Sequence, residues 1–178
     1  MPDPATVEPP VLRGFLGNFP TGVTVVTCRR GDVVHGATVN AFTSVSLDPP
    51  LVLTALDRRS RACAHLESGA FVVNVLGEGQ RDVAMHFAGR PMAEPVPWRD
   101  EDGEFPRLAD AVGHLFCRVW RNYDGGDHVL HVARVEGLDL RGGRPLLFHR
   151  GGFPRLADRD PVWELTLDGH APLFTTNQ

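Results

Sequence analysis

Hydrophobic and polar positions change period several times along this chain, and each change marks a short element. Val11, Leu12, Phe15, Leu16 and Phe19 recur at helical spacing and predict a short helix with one apolar face. The Pro-Thr-Gly at 20–22 ends it and turns the chain. Residues 23–28 read as a strand, 29–32 as a tight turn, and 33–42 as the returning hairpin partner. The stretch 36–56, GATVNAFTSVSLDPPLVLTAL, reads as a strand over 36–42, a polar turn or bulge, and a second strand over 51–56. Its Val, Thr, Leu and Phe suit a pleated surface, while Pro49 and Pro50 can open a strand but not occupy its middle.

Downstream, Ser60 can cap a helix that turns Ala62, Cys63 and Leu66 to one side and closes at Gly69. A strand is expected over 71–76, then a helix over 79–87 with Val83, Ala84 and Phe87 inward. Residues 88–106 form a proline-rich loop of mixed charge, long enough to act as a lid, a dimer arm or a substrate-side loop. Strands over 112–121 and 129–135 flank a turn at 123–128. A turn at 138–143, a last strand at 145–149 and a loop centred on Phe153 follow. Short strands without regular strand–helix alternation favour a mostly β barrel over a doubly wound sheet. We divide the chain into an arm (1–10), one domain (11–157) and an extension of unassigned placement (158–178).

Composition narrows the picture modestly. A chain of 178 residues, 42% hydrophobic and 22% charged, suits one well-filled domain. A net charge of -4 disfavours non-specific nucleic-acid binding. The three cysteines lie far apart without a CxxC spacing, arguing against a disulfide framework and a structural zinc site. No apolar run is long enough to span a bilayer, and the first ten residues are too polar for a signal peptide, so cytoplasmic residence is expected.

Familiar catalytic signatures are missing: there is no GxSxG, HExxH or GxxxxGK[ST], and the eight histidines show no metal spacing. Four features carry chemistry. Gly36, Ala37 and Ala41 leave room for a flat ligand, beside compact polar groups on Thr38, Asn40, Thr43 and Ser44; ordinary barrel strands with a polar side fit equally. Arg58, Arg59, Ser60 and Arg61 at a helix start form an anion site or a plain capped helix with solvated arginines. In Gly125-Gly126-Asp127-His128, the aspartate orients the imidazole or caps the turn. Phe153, in a glycine loop, covers a planar ligand or plugs the core.

Taken together, FPTGVTVVT (19–27), GATVNAFTSVSLDPPLV (36–52), FVVNVL (71–76), the segment 80–88, GGDH (125–128) and LLFHRGGFPRL (146–156) resemble the short-chain NAD(P)H-dependent flavin reductases. The resemblance covers residues 11–157. It implies an FMN-binding split barrel that passes hydride from NADH, or NADPH, to FMN or FAD and supplies reduced flavin to a partner monooxygenase. It also implies a homodimer, with the partner helping to wall the site. By the same resemblance, Thr38, Val39, Asn40 and Ala41 face the flavin ring, and Thr54, Ala55, Leu56, Ser60, Arg61 and Ala62 run along its ribityl and phosphate. His128 lies near the nicotinamide and Phe153 near the stacked rings, with Phe87 also in the cofactor-binding set. The pattern departs from the family at Ala41, where serine is usual, and at Ala62, where threonine is usual. A flavin carrier or electron-transfer protein with the same barrel is the alternative reading.

Overall fold

A computed structural model describes residues 7–66 and 69–157. The first helix, α1 (Pro9–Leu16), begins inside the stretch expected as an arm, with proline in its first turn where a missing N–H costs nothing. Its apolar face meets none of the core: Phe15 and, just beyond the helix, Phe19 are each 75% exposed, and Val11, Leu12 and Leu16 are exposed too. Next come β1 (Thr21–Gly22), β2 (Thr24–Arg30) and β3 (Val33–Val39). Strands β2 and β3 pair from Thr24 with Val39 to Arg30 with Val33, so the turn is only Gly31 and Asp32. Gly31 takes φ of 56°, the left-handed region that a two-residue hairpin turn needs.

The stretch 36–56 is three strands rather than the two expected. β3 ends at Val39, β4 (Phe42–Leu47) follows after two residues, and β5 (Pro50–Asp57) returns beside it. Val39 pairs with Thr24 whereas Phe42 pairs with Thr54, so Asn40 and Ala41 carry the chain from one pairing partner to another. Pro50 opens β5, the position a proline tolerates.

The remaining elements are α2 (Arg61–His65), β6 (Ala70–Val75), α3 (Arg81–Phe87), β7 (Trp98–Asp100), β8 (Arg107–Leu108), β9 (Gly113–Gly125), β10 (His128–Leu140) and β11 (Leu147–Phe148). Three expectations are corrected here. Residues 123–128 are mostly strand, because β9 runs to Gly125 and only Gly126 and Asp127 turn. The turn expected at 138–143 starts later, since β10 continues to Leu140. The strand expected at 145–149 shrinks to Leu147–Phe148 paired with β1, plus an isolated bridge from Pro145 to Gly77.

The loop 88–106 is also more ordered than its composition suggests. β7 pairs with β8, and buried Asn74 and Thr27 hold the loop's end to the barrel. The Asn74 side-chain oxygen accepts from Leu108 N at 2.9 Å, and the Thr27 hydroxyl donates to Pro106 O at 2.6 Å. The helix expected to close at Gly69 ends earlier: α2 stops at His65, and Leu66 caps it, its N–H donating to Cys63 O at 3.1 Å. Residues 1–6, 67, 68 and the extension 158–178 lie outside the described residues.

Seven strands form one antiparallel sheet in the order β3-β2-β6-β9-β10-β5-β4. β3 and β4 are its two edges, yet only Asn40 and Ala41 separate them in the chain. A flat sheet would hold these edges about 29 Å apart, six spacings of roughly 4.8 Å. Three Cα steps reach only about 11 Å. The sheet must therefore roll until its edges approach, leaving a seam with no ladder between β3 and β4. That is a split barrel, as expected.

Inside it, Val26, Val39, Val52, Leu56, Phe71, Val73, Cys117 and Ala133 pack together, and α2 with its cap adds Ala62, Cys63 and Leu66. Outside it, Val23, Val25, Leu76, Val83, Ala84, Leu108 and Leu146 form a second cluster under α3. Val25 and Val26 are both completely buried, so β2 is covered on both faces. Burial of each large apolar side chain contributes roughly 1.5–3 kcal/mol.

Candidate functional site

The seam is where the sequence-predicted groups begin to converge. Asn40 and Ala41 are exposed there, and Asn40 lines two cavities. The larger, about 750 Å³, is walled by Phe19, Thr21, Ala41, Phe42, Thr43 and Leu53, among others. The smaller, about 200 Å³, is walled by Thr38, Ala84, Met85, Phe148 and Phe153. Ala55 N donates to Ala41 O at 3.0 Å, tying the seam to the adjacent strand.

Thr38 donates its hydroxyl to Ala84 O at 2.6 Å, so its first task is to dock α3 on β3. Its oxygen still has acceptor capacity. Val39 is buried in the barrel core. Gly36 does not leave room for a ligand: a Cβ there would lie 2.5 Å from Phe87 Cε1. The ring of Phe87 fills that space, packed edge-on against Trp98 at 6.1 Å. Phe87 is thus seated in the second core cluster and is not among the residues walling either cavity. Phe153 is partly buried against the second core cluster. It packs against Phe148 at 5.6 Å and also walls the smaller cavity, with the Arg81 guanidinium 5.7 Å from its ring centre.

Alternation sorts the β5 residues. Thr54 and Leu56 point into the barrel, only 1% and 2% exposed, whereas Ala55 lies on the outer face. On that face Ala55 pairs with Leu130 and Asp57 with His128. The outer surface of β5 and β10 therefore runs from the seam at Ala41, through Ala55, to His128 two residues further along, about 7 Å away.

At the far end of this strip, His128 Nδ1 lies 2.7 Å from Asp127 Oδ1. A carboxylate only accepts, so Nδ1–H donates and Nε2 is left for another partner. The same hydrogen bond holds the Asp127 carboxyl below the usual carboxylate range. Asp124, not Asp127, caps the turn, accepting from Gly126 N at 2.9 Å.

The arginine cluster is more committed than its sequence suggests. Arg58 pairs with Asp124 at 2.9 Å and donates to Gly126 O at 2.7 Å. Arg59 grips Asp57 through Nε at 3.1 Å and Nη2 at 2.8 Å, pulling that carboxyl far below its ordinary value. Ser60 is the helix cap, its Oγ accepting from Cys63 N at 3.0 Å, which leaves its O–H to donate elsewhere. Arg61 is exposed in the first turn of α2, while Ala62 is buried in the barrel. Arg58 and Arg59 are thus engaged with carboxylates of the fold, while Ser60 and Arg61 stand at the start of α2.

A planar heterocycle fits these surroundings. The larger cavity is within the range usual for small-molecule sites, and Thr21 on its wall has a buried hydroxyl with no hydrogen-bond partner among the described residues. Sequence reasoning missed Thr21, Phe19 and Leu53 as walls. The one signal was Phe19, whose helical spacing marked an apolar face without saying what it covers.

A model of the flavin reductase like domain matches residues 16–157. The chain belongs to the flavin reductase like family. It is 43% identical over 166 residues to an NADH-dependent flavin reductase of Rhodococcus sp., covering 88% of this chain and 93% of that one. It is also 43% identical over 143 residues to the reductase component of a 4-hydroxyphenylacetate 3-monooxygenase of Thermus thermophilus, covering 79% and 92%. Among solved structures, the NADH:FAD oxidoreductase SgcE6 of Streptomyces globisporus, in complex with NAD and FAD fragments, superposes with a TM-score of 0.78. Identity there is 39%, over 87% of this flavin reductase like chain and 99% of that one. The fold, a split barrel, is the one its relatives share. Among the described residues, no helix of this oxidoreductase is long and apolar enough to cross a membrane.

Proposed function

We propose that the chain is an NADH-dependent flavin reductase that passes a hydride from nicotinamide C4 to flavin N5 and supplies the reduced flavin to a partner monooxygenase. One observation carries the placement of the site: the seam cavity at Asn40 and Ala41 and the Asp127-oriented His128 share the outer surface of β5 and β10. Bound flavin supplies the redox chemistry, and the protein's part is to hold two rings face to face at reacting distance.

In this reading Asn40 presents its amide to the polar edge of the flavin, where negative charge grows on reduction. Ala41 and Ala55 keep the surface beneath the ring flat. Ser60 and Arg61 take the phosphate, one by its O–H and the other by its guanidinium. His128 meets the nicotinamide carboxamide through Nε2, held in that tautomer by Asp127. Phe153 closes the smaller cavity beside Asn40 and Thr38. No base or nucleophile is required, and the half-exposed His128 serves to place the nicotinamide.

FMN and FAD are both accepted in this proposal, with NADH preferred over NADPH, and the cytoplasm is where that donor is supplied. The protein works as a homodimer: α1 offers an exposed apolar face of Phe15, Phe19 and Leu16 beside the larger cavity, and a second copy covers it.

The test is a steady-state matrix of NADH and NADPH against FMN, FAD and riboflavin, with detection of free reduced flavin. The expected result is NADH consumption only when flavin is added, with reduced flavin released. Inert protein across the whole matrix overturns the reading. So does tightly retained flavin without turnover, which identifies an electron-transfer protein instead.

A further inference from the structure

A second constellation lies on the other face of the β5–β10 pair, away from His128. His131 is three residues along the strand, so its ring turns into the barrel, where it is 1% exposed. Its Nδ1 lies 2.8 Å from Asn122 Oδ1, directly across the β9–β10 ladder. Its Nε2 lies 3.6 Å from Cys63 Sγ on α2. The amide oxygen of Asn122 can only accept, so Nδ1 carries the hydrogen and the Nε2 lone pair faces the thiol. Cys63, His131 and Asn122 therefore stand as a thiol, a base aimed at it, and a group that fixes the base's tautomer, the arrangement that activates a sulfur nucleophile.

This cluster is not sealed in the core. Cys63, His131 and Asn122 all wall a cavity of about 560 Å³, together with Tyr123 and the ion pair of Arg58 with Asp124 at 2.9 Å. Among the described residues, that pair supplies the charged groups of the cavity wall, and they offset one another. The other two cysteines lack such surroundings. Burial pushes the Cys28 thiol up to about 11, and burial with the nearby Glu136 pushes Cys117 up to about 12, so both stay protonated.

We infer that Cys63 is a reactive thiol, activated by His131 and positioned through Asn122, and that its substrate is hydrogen peroxide. Peroxide is small and uncharged and enters such a cavity without a dedicated anion or cation site. It is also what forms when reduced flavin meets dioxygen before reaching an oxygenase. That source rests on the proposed reductase activity, whereas the reactivity of Cys63 does not.

The step balances as follows. The thiol proton moves to His131 Nε2, the sulfur attacks one peroxide oxygen, an S–O bond forms and the O–O bond breaks. The departing hydroxide takes the proton from His131 and leaves as water. Cys63 becomes a sulfenic acid, oxidised by two electrons, and peroxide is reduced.

The test adds hydrogen peroxide directly to the purified protein, with dimedone as the trap, and reads each cysteine by peptide mass spectrometry. The adduct is expected at Cys63 and not at Cys28 or Cys117, and it disappears in Cys63→Ser. An ordinary thiol titrating near 8.5 is only about 3% thiolate at pH 7, so His131→Ala should slow trapping by about tenfold or more. Because His131 is buried, Asn122→Ala on the exposed end of β9 provides a second variant. Its Cys63 alkylation rate with iodoacetamide should reach half-maximum at higher pH than in the unmodified protein, and Asn122→Asp should restore the lower value. Labelling of Cys63 no faster than Cys28 and Cys117, or an Asn122→Ala pH profile identical to that of the unmodified protein, overturns the inference. Since no flavin or nicotinamide is added, failure here is distinct from failure of the reductase reading.

Discussion

Replacing Gly36 with alanine tests how α3 is seated on the barrel. A methyl group at this position would lie 2.5 Å from Phe87 Cε1 and 2.6 Å from Cδ1, when carbon atoms prefer about 3.5–4.0 Å. The ring must therefore retreat by about 1 Å, yet Trp98 and His86 flank it at centroid distances of 6.1 and 4.9 Å. Overpacking of this kind costs about 1–3 kcal/mol. Gly36 is not among the glycines at positive φ, so alanine fits the backbone and recovers about 0.5–1 kcal/mol of chain entropy. The net expectation is a loss of about 1–2 kcal/mol in urea unfolding, with the midpoint lowered and the slope unchanged. The decisive arm is the double variant. With Phe87→Ala in the background the added methyl enters vacated space, so Gly36→Ala becomes neutral or mildly stabilising. The coupling energy is then about 2 kcal/mol, well outside the roughly 0.5 kcal/mol within which independent sites add. Additive costs would falsify the assignment of Gly36 to Phe87 and return it to the list of positions kept small for a ligand.

Three further outcomes bear on the site and the barrel. His128→Ala should lower kcat/KM for NADH by about tenfold or more while flavin dissociation constants, read by fluorescence titration, stay within about twofold; equal loss of flavin affinity would place the imidazole at the wrong ring. Ser60→Ala combined with Arg61→Ala should weaken FMN more than riboflavin, since only FMN carries the phosphate, and indistinguishable changes in the two constants would remove both residues from that role. Burial holds the His114 imidazole below its ordinary value, so its contribution to stability is intact above about pH 6.5 and is lost as pH falls through the depressed folded value. His114→Gln keeps a donor for Leu108 O, which His114 Nε2 meets at 2.9 Å, but binds no proton, so its Tm should fall less steeply between about pH 6.5 and 5; parallel Tm profiles would show that another group sets the acid sensitivity.

Local signals were readable wherever the physics is local. Ser60 caps α2, Pro50 opens β5, Gly31 makes the hairpin turn, and Val83, Ala84 and Phe87 face inward as their spacing requires. What escaped the sequence depends on partners far along the chain. The arginines of 58–61 look alike in a string, but Arg58 meets Asp124 across a later hairpin and Arg59 meets Asp57, so two of the three are engaged with carboxylates of the fold itself. Gly36 reads as clearance for a flat ligand because its true occupant, Phe87, is on a helix about fifty residues downstream. The break at Asn40 and Ala41 escaped for a different reason: nothing in either residue forbids a strand, and only the change of pairing partner from Thr24 to Thr54 divides it. In the resemblance-derived set, strand alternation separates Ala55 from Thr54 and Leu56, a distinction that a contiguous motif does not make.

The break at Asn40 and Ala41 joins the fold to the proposed chemistry. A closed barrel would pair every strand edge and leave no backbone group for a ligand. Here two residues connect the outermost strands of a seven-stranded sheet, so the edges are brought together by the chain itself without a ladder between them. The seam is held by Thr24 Oγ1 donating to Val39 O at 2.8 Å and by Ala55 N donating to Ala41 O at 3.0 Å, one bond on each side of Asn40. Asn40 is thus fixed at both neighbours while remaining exposed at the mouth of two cavities. That combination of a rigid backbone and an available amide is what an orienting group needs, because a donor already in place does not have to be reorganised as charge develops. On this reasoning the small and polar residues around the seam divide by task. Gly36 and Thr38 seat α3, and Asn40 with Ala41 stay exposed at the cavity in which the proposed function sets the ring.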